Sequence, residues 1–287
     1  MESLTALAKE GWEVREKNFS STIYFSYPVK TQSVSVTGNH CNLNCGHCGG
    51  HYLKHMKEIA DIAACDKRLS PSFLISGGCT ANGKVPVGGC LPELIALKEG
   101  RKFNVHTGLV DEADVEGISR IADKVSFDFV GDDETIYEVF GMQRTVNDYV
   151  KSYELLRKKC SVVPHICIGL HKGKIKGEYR VLDLLADLGT DGLTFIVFTP
   201  TKNTRYAACL PPSIEEVLNV IVTARKKFPK VPIHLGCMRP GGNYRRQLDL
   251  WSVRGGVNTI VNPVSDAVHL AASLGLLPVK REECCVL

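Results

Sequence analysis

The chain has 287 residues, 23% of them charged and 44% hydrophobic, with a formal net charge of +4. A composition this ordinary belongs to a soluble globular protein, and so small a net charge does not by itself argue for nucleic acid; it leans only toward an acidic partner. Residues 1–18 carry charges every few positions and lack the apolar core of a secretory signal, and no later run is long enough to span a bilayer, so the expectation is a cytoplasmic protein with neither nucleic acid nor membrane as partner.

In chain order, residues 1–30 read as an N-terminal helical extension. Short β-rich runs follow, with helical patterns between them: SVSVTG (33–38), SFLISGG (72–78), KFNVHTG (102–108), KVSFDFV (124–130), VPHICIGL (163–170), GLTFIVFT (192–199), VPIHLGCM (231–238) and VNTIVNP (257–263). Several are apolar at nearly every position, as strands buried on both faces are. Thr145 opens TVNDYVKSYELLRKK, and Ser213 and Glu216 have capping-box spacing ahead of VLNVIVTARKKF. Strands alternating with helices imply a parallel sheet, and eight such units close into a (β/α)8 barrel whose chemistry sits at the carboxyl ends of the strands. No linker interrupts residues 1–287, so one domain is expected, ending in a cysteine-containing tail at 276–287.

Polar and sulfur groups gather at the predicted strand exits. NHCNLNCGHCGG (39–50) follows the first strand, SGGC the second, HTG the third, FTPTKNT the sixth and GCMRPGG the seventh. Twelve cysteines in a chain with no secretory signal point to metal or redox chemistry in a reducing cytosol, more than to disulfides. Cys41, Cys45 and Cys48 form C-x3-C-x2-C. A structural zinc site takes four protein ligands, usually as two separated pairs, and no second pair lies nearby. A cubane [4Fe-4S] cluster takes one thiolate per iron, so three cysteines leave one iron free to bind something else.

On that loop and its place after the first strand, the chain resembles the radical SAM superfamily. The resemblance implies a [4Fe-4S] cluster on Cys41, Cys45 and Cys48 whose open iron chelates S-adenosylmethionine, and one-electron cleavage of that sulfonium to a 5'-deoxyadenosyl radical. It also implies cofactor contacts. His47 stands where the family usually has an aromatic residue near the adenine. Gly77 and Gly78 match the family's Gly-Gly-Glu element, with Cys79 in place of the glutamate. Gly173, Ile175 and Glu178 lie in GKIKGE, like the Gly-x-Ile-x-Gly segment. Pro200 begins PTKNT, like Pro-x-x-Gly-Thr, with Asn203 for Gly. Asp128 is a candidate for the ribose, and Arg239, with Arg245 and Arg246, for the carboxylate or an acidic carrier. The plainer readings are a helix-start carboxylate for Glu178, solvated charges for the arginines, and backbone-satisfied rings for His106 and His165.

FDFVGDDETIYEVFGMQRTVNDYVKSYELLR, FTPTKNTRYA and LGCMRPGGNYRRQLD look like the biotin synthase and lipoyl synthase branch, and most like the archaeal-type, two-component lipoyl synthases. That likeness implies sulfur insertion into a protein-bound octanoyl chain. It implies a sacrificial auxiliary iron–sulfur cluster, for which Cys79, Cys237, Cys284 and Cys285 are candidates and Cys167 a further one. Its partners would be an octanoylated carrier protein or lipoyl domain, a sister radical SAM subunit, and a ferredoxin or flavodoxin as donor. Cys65, Cys160 and Cys209 read as small buried hydrophobes, and Cys90 is undecided. The two tail cysteines are expected to be exposed; Cys284 to Leu287 also fits the C-a-a-X prenylation pattern, although the preceding KREE is mixed in sign. The competing functions are a biotin-type cyclisation or a radical rearrangement and, in a different class, a cluster- or metal-carrying protein without turnover, which has no need of so large a pocket.

Overall fold

A computed structural model describes residues 2–63 and 70–287; Cys65 lies outside them. The strands are β1 (Thr22–Ser26), β2 (Thr31–Ser35), β3 (Lys57–Glu58), β4 (Ser72–Ser76), β5 (Lys102–His106), β6 (Lys124–Asp128), β7 (Val162–Ile168), β8 (Leu193–Val197), β9 (Ile233–Leu235), β10 (Thr259–Val261) and β11 (Leu277–Arg281). All eight expected strands form, as β2, β4–β10. Every ladder is parallel, in the order β11-β1-β10-β9-β8-β7-β6-β5-β4-β2-β3. The result is the expected α/β barrel, with helices returning the chain between strands.

The outward residues of the strands make the main core. Val125 and Phe127 on β6 and Ile233 and Leu235 on β9 are buried there, while Phe103 and Val105 on β5 are buried in a second, smaller cluster. Alternate residues point into the lumen, and there the same strands present His106, Asp128, His165 and Thr194. Both faces are therefore covered, and the inner one sets these polar groups among apolar ones. Among the helices, Ile214–Lys227 begins as its sequence dictates: Ser213 Oγ accepts from Glu216 N at 3.2 Å and the Glu216 carboxylate accepts from Ser213 N at 2.8 Å, a cap worth about 1 kcal/mol. The Asp148 carboxylate likewise accepts from Thr145 N, at 2.8 Å. No helix among the described residues is long and apolar enough to cross a membrane.

Two boundaries differ from expectation. The N-terminal extension is helical over Glu2–Asn18, but its last part is β1, a strand of the barrel. The C-terminal tail begins as β11 on the free edge of β1 and then crosses the seam to β2, where Lys30 N donates to Glu282 O at 2.9 Å and Cys284 N to Thr31 Oγ1 at 2.8 Å. The terminal thiols are consequently not exposed. Cys285 and Val286 are buried against Val163 and Val261, with Cys284 packed beside them, because these two small apolar side chains find inner-face partners once the register of β11 has brought them to the lumen.

Candidate active site

The loop between β2 and the short helix His51–His55 is pinned at both ends and in the middle. Gly46 N donates to Val139 O at 2.7 Å while Tyr206 N donates to Gly46 O at 2.9 Å, and a Cβ on Gly46 would lie 2.7 Å from the Tyr206 ring. Successive turns, Cys48 N to Cys45 O at 3.2 Å and His51 N to Cys48 O at 2.8 Å, bring the later two thiols together. The first is stitched to the end of β4: Asn42 N donates to Cys79 O at 2.8 Å and Cys79 N reaches Cys41 Sγ at 3.3 Å. Gly78 allows this approach. A Cβ there would be driven into His40 O and would lie 2.7 Å from both Cα and Cβ of Cys41.

Cys41, Cys45, Cys48, Cys79, His47, Gly77, Gly78 and Asp128 line one cavity of about 530 Å³ inside the barrel. Its hydrogen bond with Cys45 brings the Cys48 thiol down to about 7 and pushes Cys45 up, while burial pushes Cys79 up to about 12. Burial brings the His47 imidazole down to about 4, against the pull of Asp128; its Nδ1 is buried without a hydrogen-bond partner, and its ring meets Phe140 edge-on at 6.0 Å. Asp128 lies deep in the barrel with its side chain open to the cavity. Burial raises its carboxyl, opposed by His165 and His47.

Further down the lumen His106 and His165 pack ring to ring at 5.3 Å, and burial holds the first down at about 3. His165 Nδ1 pairs with Val163 O at 3.1 Å, as expected, whereas His106 rests on the neighbouring ring. Cys167, Cys237, Cys284 and Cys285 line the same cavity, so eight cysteines share one space. Cys237 and Cys285 are each shifted up by burial and by Cys284 nearby, which places these three as a second group of thiols. Among the described residues no three His, Cys, Asp or Glu side chains converge as a single metal ion requires. A cubane asks instead for thiolates spread over its corners, and the loop thiols, the glycine cradle at Gly78 and the unpartnered His47 nitrogen fit such a group with a ligand beside it.

Four expected cofactor contacts are structural. Glu178 is spent on the backbone: its carboxylate accepts from Gly169 N at 2.7 Å, Lys176 N at 2.7 Å and Gly177 N at 2.9 Å, so the helix-start reading is the better one even though the residue borders the cavity. Arg239 is fully buried in a two-pronged pair with Asp249, at 2.8 and 3.0 Å, and gives its remaining donors to Gly236 O and Asn262 O. Gly173 packs under Leu210 O, and Ile175 joins the main core. Pro200 lies just past Thr199, the last residue of its segment to reach the cavity wall. Arg245 donates to Cys237 O, Arg239 O and Asn262 O, and Arg246 pairs with Asp266 at the surface. Cys160 and Cys209 pack on the core as expected; Cys90 packs on a second core cluster, its thiol 3.6 Å from Val36 O.

Sequence reasoning missed Thr194, Tyr149, Asn104 and His234 as lumen or near-lumen polar groups. The signal was there: F-N-V-H, V-S-F-D and I-H-L alternate with period two.

No protein-family model matches the chain, and no curated protein does. Solved structures do. Methylornithine synthase (PylB) aligns over 96% of this chain and 89% of its own, with a TM-score of 0.68 and 14% identity. The FeFe-hydrogenase maturase HydG from Carboxydothermus hydrogenoformans aligns over 96% of this chain and 71% of its own, at 0.71 and 15%. Streptococcus suis SuiB bound to S-adenosylmethionine aligns over 75% of this chain and 51% of its own, at 0.54 and 14%. At such identities the likeness is one of fold.

Proposed function

We propose that the chain is a radical S-adenosylmethionine enzyme and, more narrowly, a sulfurtransferase of the lipoyl synthase type that thiolates a protein-bound octanoyl chain. One observation carries the first part: three thiols spaced C-x3-C-x2-C open, at the carboxyl end of a parallel barrel, into a large enclosed cavity shared with a glycine pair. The shared fold of a neighbour solved with S-adenosylmethionine supports it.

In this reading Cys41, Cys45 and Cys48 hold a [4Fe-4S] cluster. A cluster there supplies one low-potential electron to the sulfonium of S-adenosylmethionine, which makes abstraction from an unactivated C–H bond accessible. The chain does the rest. The Gly77–Gly78 backbone, with no side chains in the way, accepts the methionine ammonium; His47, kept neutral by burial, offers an unpaired ring nitrogen beside the adenosyl group. Asp128 faces the ribose. Leu43, Phe129, Phe140, Leu170 and Ile196 on the cavity wall exclude water from a reactive carbon and suit an aliphatic substrate.

The second part rests on sulfur content. Cys237, Cys284 and Cys285, with Cys79 or Cys167, are soft ligands in the cavity that the first cluster does not use, and they suit an auxiliary cluster as sulfur source. The partners in this reading are an octanoylated carrier or lipoyl domain, a sister subunit and a small electron-transfer protein.

Anaerobically reconstituted protein given dithionite and S-adenosylmethionine should release 5'-deoxyadenosine, and with an octanoyl-lysyl peptide should yield a thiolated product. Changing Cys284 and Cys285 together to Ala should lower bound iron and sulfide and abolish thiolation while deoxyadenosine release persists. Failure to release deoxyadenosine removes the whole reading. Release without sulfur gain removes only the narrower one and leaves a biotin-type cyclisation or a rearrangement.

A further inference from the structure

We propose that the chain's own last four residues, Cys284–Leu287, are the floor of the substrate cavity: they close the amino-terminal mouth of the lumen and set how deep a substrate entering from the three-thiol loop can reach. The depth-setting role rests on the aliphatic substrate proposed above; the closure does not.

The strands of a barrel are staggered, each neighbour displaced along the axis by about one residue. Following the ladders from β7 with that stagger puts Thr31 on β2, Asn104 on β5, Val163 on β7 and His234 on β9 at one level, with Val261 on β10 one residue above it. Thr31 is the first residue of its strand and Val163 the second, so this level is the amino-terminal end. The tail touches that ring all the way round. Thr31 Oγ1 accepts from Cys284 N, Asn104 Nδ2 reaches Cys284 Sγ at 3.4 Å, the Cys285 backbone meets the His234 ring, and Val286 packs with Val163 and Val261.

Eight-stranded barrels ordinarily fill their lumen with layers of bulky branched side chains. Here the ring supplies Thr31, Asn104, Val163 and His234, and the tail packs on it as a further layer. Two surface pairs, Lys30–Glu282 and Lys102–Glu283 at 2.8 Å, hold its approach from outside. Above it, Cys284 and Cys285 line the same cavity as the three-thiol loop. The floor is therefore a soft sulfur surface with no cationic side chain, which suits a methyl-ended aliphatic chain and offers a carboxylate no counter-charge.

The test uses the full-length chain freed of iron, so that no metal orders the tail. Carboxypeptidase digestion followed by intact mass should leave Val286 and Leu287 in place. Val286→Asp, which puts a charge between Val163 and Val261, should lose that protection; the double reversal Lys30→Glu/Lys102→Glu weakens the outer tethers without a buried charge and should be trimmed faster than wild type. Equilibrium dialysis of hexanoyl-, octanoyl-, decanoyl- and dodecanoyl-lysyl peptides then reads depth. Cys285→Ala, at the cavity face of the floor, should move the preferred length upward, and Cys285→Phe downward, by about one methylene. Trimming of the folded wild type at the rate of the unfolded chain overturns the floor. An unchanged length preference in both variants overturns its depth-setting role. Protection in wild type, lost in the variants, with no acyl peptide bound by any of them, upholds the floor and overturns the aliphatic-substrate reading instead.

Discussion

Gly78→Ala tests how the cavity's thiol loop is held. The added Cβ would be driven into His40 O and sit 2.7 Å from Cα and Cβ of Cys41, all parts of the backbone or fixed to it, so nothing can swing aside. Relief requires the β4 exit and the Cys41 turn to move apart by about 1 Å, which also pulls Cys79 N from Cys41 Sγ, now 3.3 Å away. Overpacking of this kind costs about 1–3 kcal/mol, and the alanine returns about 0.4–1 kcal/mol by stiffening the unfolded chain. A net loss of about 1–2 kcal/mol in a chain this long lowers the melting temperature by only a few degrees. The larger effect is on the site. Iron and sulfide content after anaerobic reconstitution should drop well below wild type in a protein that still folds. Gly77→Ala is the control, since its Cβ would meet only the Thr37 and Val36 side chains, at 3.1–3.3 Å, and these can yield. Equal iron content in Gly78→Ala and Gly77→Ala would refute the reasoning.

Asp249→Asn leaves the buried Arg239 cation without its counter-charge, a loss of about 3–5 kcal/mol that should appear in the urea midpoint, with iron per folded molecule unchanged. Burial holds His106 at about 3 and His234 at about 4, below the ordinary 6.5, so the unfolded chain binds more protons across that interval; stability should fall as pH drops from about 6.5 toward 4, with the raised carboxyl of Asp128 acting in the opposite sense. Denaturation midpoints between those limits check this, and His106→Gln should flatten the slope. In metal-free protein at neutral pH, iodoacetamide should modify Cys48 before Cys45, because their mutual hydrogen bond favours the thiolate on the former; peptide mass spectrometry reads the order. Thr194→Val removes a buried hydroxyl that has no partner and keeps the shape, so it should stabilise the chain by about 1 kcal/mol in thermal melts, and a destabilised variant would show that the hydroxyl is satisfied in solution.

Strands announced themselves where β-branched runs were bounded by Gly or Pro, which is why β2 and β4 to β10 were all legible. The strand TIYFS was hidden because it follows closely on a charged helix with no Gly or Pro between them, and LPVKR because a proline and two cations make an edge strand look like a loop. The three-thiol loop was readable because its spacing is local. Arg239 was not: its partner Asp249 is ten residues on, and only the fold reveals that both are buried. Glu178 shows the same limit from the other side, since a carboxylate opening a helix beside glycines reads equally as ligand or as cap until the donors are seen. The tail was misread for a physical reason, because REE is what an exposed terminus looks like; its charges do stay outside, and only the four residues beyond them turn inward.

A few polar groups set in a mostly apolar lumen are the feature that most constrains how the site can be filled. Burying an unpaired polar atom costs about 1–3 kcal/mol, and a barrel selected for stability alone would fill these positions with Val and Leu. This one keeps His47 Nδ1 and Thr194 Oγ1 without partners on the wall of a single cavity and His234 Nδ1 without one beneath the tail, while Asn104 and Ser126 satisfy each other at 2.8 Å. The unpaired atoms are also close to the two groups of thiols, the loop at one end of the lumen and the tail at the other. That distribution fits a site whose polar groups are satisfied by its ligands. A carrier of metal needs thiols but not such a chamber between them; the sulfur transfer proposed above calls for both.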